Sequence, residues 1–94
     1  QMIHAIARLT VTDPDMLAAY RAQAGEALSR HGGAVITATP NPTLLEGTGP
    51  TPNMMALLSF PDRDAAIAWI DDPDLAPVHA KRNAAGSSEI LLLG

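Results

Sequence analysis

The fold is decided by residues 54–75, MMALLSFPDRDAAIAWIDDPDL, where a strand pattern changes into a helix pattern. Residues 54–60 are apolar on both faces of a period-two pattern, which predicts a strand covered on both sides. Asp62 is a favourable helix N-cap, and helical spacing follows over residues 62–71. A second helical piece is predicted over residues 73–85, after the Asp-Asp-Pro break.

The first of these helices contains the single tryptophan of the chain. Its spacing predicts a buried stripe of Ala66, Ile67 and Ile70, with Trp69 at the edge of that stripe.

In the rest of the chain, strand patterns of period two also alternate with helical spacing. The other predicted elements are a strand over 2–11, a helix over 14–31 capped by Asp13, a strand over 34–39 and a last strand over 88–94. Residues 43–47, TLLEG, are predicted to resume the second strand after a bend at the prolines that precede them.

The resulting order, βαββαβ, predicts an α+β fold in one domain, residues 2–94. It is a ferredoxin-like sandwich with a four-stranded antiparallel sheet and helices on one face. Both faces of this sheet carry apolar residues. The face away from the helices would receive Ile6, one of Met54 and Met55, and either Leu91 with Leu93 or Leu92. Because a face of that kind needs cover, we expect a homodimer through the open sheet face, which would form a dimeric α/β barrel.

Composition excludes several classes of protein. The net charge is -4 and the six cations are scattered apart from one adjacent pair, so we expect no nucleic-acid partner. No apolar stretch approaches the roughly 20 residues of a membrane span, and no membrane partner is expected. The chain has no cysteine, which suits a cytoplasmic protein, and the three histidines lack a metal-ligand spacing, so we predict neither metal nor cofactor.

The sequence resembles the DUF1330 family of dimeric α/β-barrel proteins. The similar segments are VTDP at 11–14, HGG at 31–33, LLEG at 44–47, FPDRDAAIAWIDDPDL at 60–75, and Arg82. The resemblance implies the fold described above and a biochemical role that is largely undefined. This chain differs from the usual family pattern at several positions. Family members usually carry an acidic residue at the position of Arg8, an aromatic residue at that of His4, and an arginine near Asn53 and Met54.

Three residues in the second half of the chain form the main candidate site. The Trp69 ring either walls a cavity or anchors its helix on the sheet. His79 either faces that cavity or is a solvated helix histidine. Arg82 is a candidate for binding a carboxylate or carbonyl group with Glu46 orienting it, or else for a structural ion pair with Glu46. Replacing Arg82 by alanine is expected to leave the core almost unchanged.

His4 and Arg8, on the first strand, complete the candidate ligand-binding residues. Together with Trp69 and His79 they give a weak similarity to the heme-degrading monooxygenases of the same barrel superfamily, in which the histidine would ligate iron. That group usually has an asparagine on the first strand, and this chain has none there.

These observations lead to three hypotheses, and they do not decide whether the protein is an enzyme. The first is a small homodimeric barrel that binds a small polar or aromatic organic molecule in a pocket of each subunit. The second is an oxygenase-like enzyme, cofactor-independent or heme-degrading. The third is a structural or regulatory dimer without a ligand.

Overall fold

The computed structural model describes residues 2–94 and contains four strands and three α-helices. In chain order they are β1 (Ile3–Val11), α1 (Pro14–Ser29), β2 (Ala34–Pro40), β3 (Met54–Phe60), α2 (Arg63–Asp71), a 3₁₀ turn (Pro73–Leu75), α3 (Ala76–Ala84) and β4 (Gly86–Leu93). The strands form one antiparallel sheet in the order β2-β3-β1-β4. The prediction of an α+β, ferredoxin-like fold is confirmed.

The period-two pattern of β1 has the predicted effect on burial. Ala5, Ala7 and Leu9 are buried on the side of the helices, whereas Arg8 on the opposite side is exposed. β1 pairs with β3 from Ile3 opposite Phe60 to Leu9 opposite Met54, and with β4 on its other edge. β1 and β3 therefore occupy the centre of the sheet, while β2 and β4 form its edges.

Aspartate side chains cap the helices as their positions predict. Asp13 Oδ1 accepts a hydrogen bond from the Met16 amide at 3.1 Å, and Asp62 Oδ1 accepts one from the Ala65 amide at 2.8 Å. Each bond satisfies a backbone N–H that the first helical turn leaves without a partner. Asp72 makes the equivalent contact at the 3₁₀ turn.

Some boundaries differ from the prediction. Residues 43–47 lie in a loop and do not resume a strand, so the TLLEG prediction is wrong. The reason is that β2 is an edge strand ending at Pro40, and its partner β3 begins only at Met54, which leaves this segment no strand to pair with. The segment predicted as one helical piece over 73–85 is a 3₁₀ turn followed by α3.

The buried face of α2 also differs from the prediction. Trp69 is only 2% exposed and Ala66 is buried beside it, whereas Ile67 and Ile70 are 40% and 41% exposed. Ala66 and Trp69 are three residues apart and thus share one face of the helix. Turning this face inward buries the larger indole ring, which removes more apolar area from water than either isoleucine would.

The helices cover one face of the sheet and enclose the core. Its buried members are Ala5, Ala27, Leu28, Leu58, Phe60, Ala66, Trp69 and Leu75. The opposite face, here called the open face, carries Ile6, Leu57 and Leu91 in adjacent register, with Leu91 46% exposed. Within residues 2–94, no helix is long and apolar enough to cross a membrane.

Candidate functional site

The indole ring of Trp69 lies between the sheet and α3. Its ring centroid is 5.4 Å from that of Phe60 on β3, and 4.7 Å from that of His79, which meets it edge-on. Among the side-chain nitrogen and oxygen atoms of residues 2–94, Trp69 Nε1 is the one that is both sealed from solvent and without a hydrogen-bond partner. The ring thus acts as packing for the core and as one wall of a polar cluster.

His79 is held by both of its ring nitrogens. Nε2 is 2.9 Å from the carbonyl oxygen of Trp69, and Nδ1 is 2.8 Å from Nη1 of Arg82. A carbonyl oxygen can only accept and a guanidinium can only donate, so Nε2 carries the proton and Nδ1 accepts. The contacts therefore select a neutral imidazole with one defined tautomer.

The electrostatic surroundings of His79 favour the same neutral form. Burial lowers the pKa of His79, the hydrogen bond to Trp69 raises it, and the positive charge of Arg82 lowers it. With 8% of its surface exposed, His79 is not the solvated helix histidine that the sequence offered as an alternative.

Arg82 is the buried cation of the site, with 4% of its surface exposed. Its Nε donates to Ser88 Oγ at 3.2 Å, and its Nη1 lies 3.5 Å from the Tyr20 hydroxyl as well as next to His79. The guanidinium carbon is 5.5 Å from the ring centroids of both Tyr20 and Trp69. Every one of these partners is neutral.

Two cavities adjoin the cluster. The first, here called the α2 cavity, has a volume of about 130 Å³ and is lined by apolar side chains of α2 and the sheet, Trp69 among them. The second, the α1 cavity, has a volume of about 100 Å³ and lies between α1 and the sheet. Tyr20, Arg21 and Arg82 supply its polar lining. Trp69 and Arg82 thus touch each other but line different cavities.

The structure brings together only part of the predicted site. Glu46 lies exposed in the loop after β2 and takes part in none of the salt bridges found among residues 2–94, so the predicted pairing with Arg82 is wrong. Arg8 is on the open face, 3.4 Å from Glu89, and shares a separate groove with Glu46. His4 lies on the same face, opposite Leu93.

Two contributors were not recognised as site residues from the sequence. Tyr20 lies within the helix predicted over residues 14–31, and its position in a helix does not by itself indicate contact with a cation. Ser88 reaches Arg82 because the chain reverses between α3 and β4, with Gly86 at the start of the strand. A serine six residues after an arginine is not a recognisable motif without that reversal.

The family described as Domain of unknown function (DUF1330) matches residues 3–94. A comparison with curated proteins gave no match.

Several solved structures share the fold. The RPA0582 protein of unknown function from Rhodopseudomonas palustris is 23% identical with a TM-score of 0.77, covering 98% of this chain and 80% of that one. SnoaB, a cofactor-independent oxygenase from Streptomyces nogalater, is 20% identical with a TM-score of 0.70, covering 99% and 91%. A dimeric ferredoxin-like protein of unknown function from Jannaschia sp. is 14% identical with a TM-score of 0.73, covering 100% and 99%.

Proposed function

The chain belongs to the DUF1330 family, and from this premise we propose that it is a homodimer that binds one small polar or aromatic organic molecule in each subunit. The bound molecule occupies the space between α1, α3 and the sheet, next to Tyr20 and Arg82. The cytoplasm is the proposed location, because a chain without cysteine needs no oxidising compartment.

One observation carries the proposal: a buried cation borders an open apolar cavity and has only neutral partners. Arg82 is 4% exposed, and its hydrogen bonds go to Ser88, Tyr20 and His79. A largely apolar pocket with a few convergent polar groups is the usual form of a small-molecule site. A protein that served only as a structural dimer would be expected to fill this space with side chains.

The homodimer is proposed from the open face. Ile6, Leu57 and Leu91 lie side by side there, and sheet-to-sheet packing of two copies would remove them from water. The similar Jannaschia protein is described as dimeric, which supports the same assembly. A dimeric α/β barrel is the form that this packing would take.

A second candidate function is that of a cofactor-independent oxygenase, which the likeness to SnoaB over 99% of the chain favours. The heme-dependent version has less support, because both ring nitrogens of His79 are already hydrogen bonded. Ligation of iron would require His79 to release either the Trp69 carbonyl or Arg82. His79→Ala would distinguish the two versions, since only the heme-dependent one predicts heme binding that this change abolishes.

A thermal-shift screen of small organic molecules tests the proposal. A ligand that binds only the folded state raises the melting temperature by mass action, by an amount equivalent to about 2.7 kcal/mol at a hundred times its Kd. We expect hits among polar and aromatic compounds, reduced in Arg82→Gln. Trp69→Phe, which keeps most of the packing, is the comparison variant. It shows whether ligand binding also depends on the indole ring beside Arg82. The absence of any hit from a broad panel would contradict ligand binding.

A further inference from the structure

We infer that the molecule bound in the α1 cavity is a monocarboxylate with a compact apolar body, its carboxylate paired with Arg82. This inference rests on the proposed small-molecule binding and specifies the chemical class of the ligand. It is carried by three features of the structure: the missing counter-charge of Arg82, the free edge of its guanidinium group, and the size and lining of the cavity.

The counter-charge of Arg82 is the first feature. Within residues 2–94, no acidic side chain forms a salt bridge with Arg82, and none lines the α1 cavity. A second cation, the exposed Arg21, borders the same cavity. Buried charges in proteins are normally paired, because an isolated charge loses the hydration it has in water. An anionic ligand would supply the charge that the protein itself lacks.

The free edge of the guanidinium is the second feature. Its central carbon lies 5.5 Å from the ring centroids of both Tyr20 and Trp69, within the range of cation–π contact. Nε and Nη1 are occupied, whereas Nη2 has no hydrogen-bond partner within residues 2–94. Nη2 also keeps some contact with solvent. Within residues 2–94, Trp69 Nε1 is the one unpartnered side-chain nitrogen or oxygen that is sealed from solvent. A guanidinium N–H group that keeps solvent contact and has no protein partner is suited to bind a carboxylate.

The lining and size of the cavity are the third feature. Leu17, Leu28, Leu58 and Ile90 contribute apolar walls, and the volume is about 100 Å³. An apolar cavity of about 150 Å³ is large enough to hold benzene. The α1 cavity has about two thirds of that volume but is partly open, so a body of about five carbons or a single ring fits if part of it extends into the opening. Arg21, the second cation of the lining, is exposed, so Arg82 is the single buried cation that this cavity offers to an anion.

His79 prepares Arg82 for this role without competing with it. As a neutral acceptor, its Nδ1 orients Nη1 at 2.8 Å and adds no charge to the site. His79 is therefore a positioning residue for the cation, and the positive charge of Arg82 stays available to the ligand.

Isothermal titration calorimetry at pH 8 with matched acids and amides tests the inference. The probes are 4-methylpentanoate and benzoate, their uncharged amides 4-methylpentanamide and benzamide, and acetate as a carboxylate without an apolar body. We expect each larger acid to bind at least about tenfold more tightly than its amide, as the loss of a charged hydrogen bond predicts. Acetate should bind more weakly than either larger acid, because it leaves the apolar walls uncovered.

Variants assign the effect to Arg82. Arg82→Gln should weaken the acids at least about tenfold and leave the amides nearly unchanged, whereas Arg21→Gln, which removes an exposed cation from the same cavity, should have a smaller effect. An equal loss in both variants would overturn the role of Arg82. If Arg82→Gln does not fold, the comparison of acids with amides on the unchanged protein still decides the question.

The outcomes separate this inference from the proposed function. Amides that bind as tightly as their acids, or acetate that binds as tightly as the larger acids, would overturn the monocarboxylate class while small-molecule binding stands. If neither these probes nor the compounds of the thermal-shift panel bind, both the inference and the proposed function fail.

Discussion

At the scale of single residues, the main feature is a guanidinium group stabilised without an acid. Arg82 lies within cation–π distance of two aromatic rings and donates hydrogen bonds to Ser88, Tyr20 and His79. These contacts replace part of the hydration that the charge loses on burial. Because its side chain also packs inside the fold, Arg82 contributes to stability as well as to the site.

Because Arg82 is buried, the expectation from the sequence that its replacement by alanine leaves the core almost unchanged does not hold. Arg82→Ala is expected to destabilise the protein by roughly 2–4 kcal/mol, since it leaves a cavity and removes the partner of a buried acceptor. Chemical denaturation monitored by Trp69 fluorescence would measure the loss. Lys81→Ala is the matched control: the Lys81 ammonium makes an exposed hydrogen bond to Gln23, and its removal should change stability by less than about 0.5 kcal/mol. Equal effects of the two substitutions would show that Arg82 is not buried as described.

The histidine of the cluster predicts a pH dependence of stability. Burial lowers the pKa of His79 in the folded protein below its ordinary value, so the unfolded chain takes up the proton first as the pH falls. Its contribution to stability is complete above the unfolded pKa of about 6.5 and is lost as the pH decreases from there through the folded pKa. The melting temperature should fall in this range for the wild type and fall less for His79→Gln. Identical pH profiles of the two proteins would contradict this.

A second contact, between His31 just after α1 and Asp72, makes stability depend on pH in a more acidic range. A hydrogen bond from His31 to Asp72, 2.9 Å long, lowers the pKa of the Asp72 carboxyl. A depressed carboxyl pKa stabilises the fold above the unfolded value, and the contribution is lost as the pH falls through the folded value. The loss due to His79 therefore begins at a higher pH than the loss due to Asp72.

At the scale of helices and strands, the junction from α3 to β4 is constrained by backbone contacts on both sides. Gly86 opens β4 with φ at +154°, and a Cβ placed there would collide with the carbonyl oxygen of Thr10 on β1. One residue earlier, the Ala85 carbonyl accepts hydrogen bonds from the amides of Thr12 and Asp13. The end of α3 is thus fixed against the start of α1, and only glycine fits the next position.

Two glycine-to-alanine substitutions should have opposite effects. Gly86→Ala is expected to cost at least about 2 kcal/mol, because backbone atoms must move to admit the methyl group. Gly25→Ala, within α1 and with nothing within 4 Å of a new Cβ, should stabilise by about 0.5–1 kcal/mol through helix propensity. Denaturant midpoints of both variants would check this, and a stable Gly86→Ala protein would contradict the described turn.

Local sequence patterns predicted the strands and helices well where their formation depends on neighbouring residues alone. The alternation in β1 and the aspartate caps at Asp13 and Asp62 are local features, and the structure confirms them. The prediction for residues 43–47 was wrong because a short segment with apolar residues forms a strand only where another strand is available to pair with it. The inner face of α2 was misassigned because tertiary packing selected Trp69 over two isoleucines of similar local preference.

At the scale of the whole molecule, the open face defines how the protein would assemble. Of the leucines considered from the sequence, Leu91 lies opposite Ile6 on this face, whereas Leu92 packs towards the core. The proposed homodimer would bury Leu91, and a charge placed there would have no partner.

Leu91→Asp is accordingly expected to convert a dimer, with twice the 9.8 kDa mass of the chain, into a monomer. Light scattering at micromolar concentration would measure the mass of both proteins. Ala68→Asp, on the exposed side of α2, introduces the same charge away from the sheet and should leave the dimer intact. A monomeric wild type, or dissociation in both variants, would contradict assembly through the open face.

The candidate site was only partly predictable from the sequence, because its assembly depends on how the whole molecule packs. Trp69, His79 and Arg82 come together because the 3₁₀ turn after α2 redirects the chain and α3 then lies against the indole. That angle depends on the packing of the whole core. The expected partner Glu46 is instead in a loop whose path was misassigned, and the neutral partner Tyr20 comes from the other half of the chain.

The pairing of β1 with β4 has a consequence for the synthesis of the protein. His4 to Val11 pair with Leu93 to Gly86, so within this sheet the first strand in chain order bonds along one edge with the last. A nascent chain that stops at residue 85 would have a central strand with an unpaired edge and an exposed apolar flank, the form most prone to aggregate or to recruit chaperones. The sheet is thus completed only after the eight residues of β4 have been synthesised.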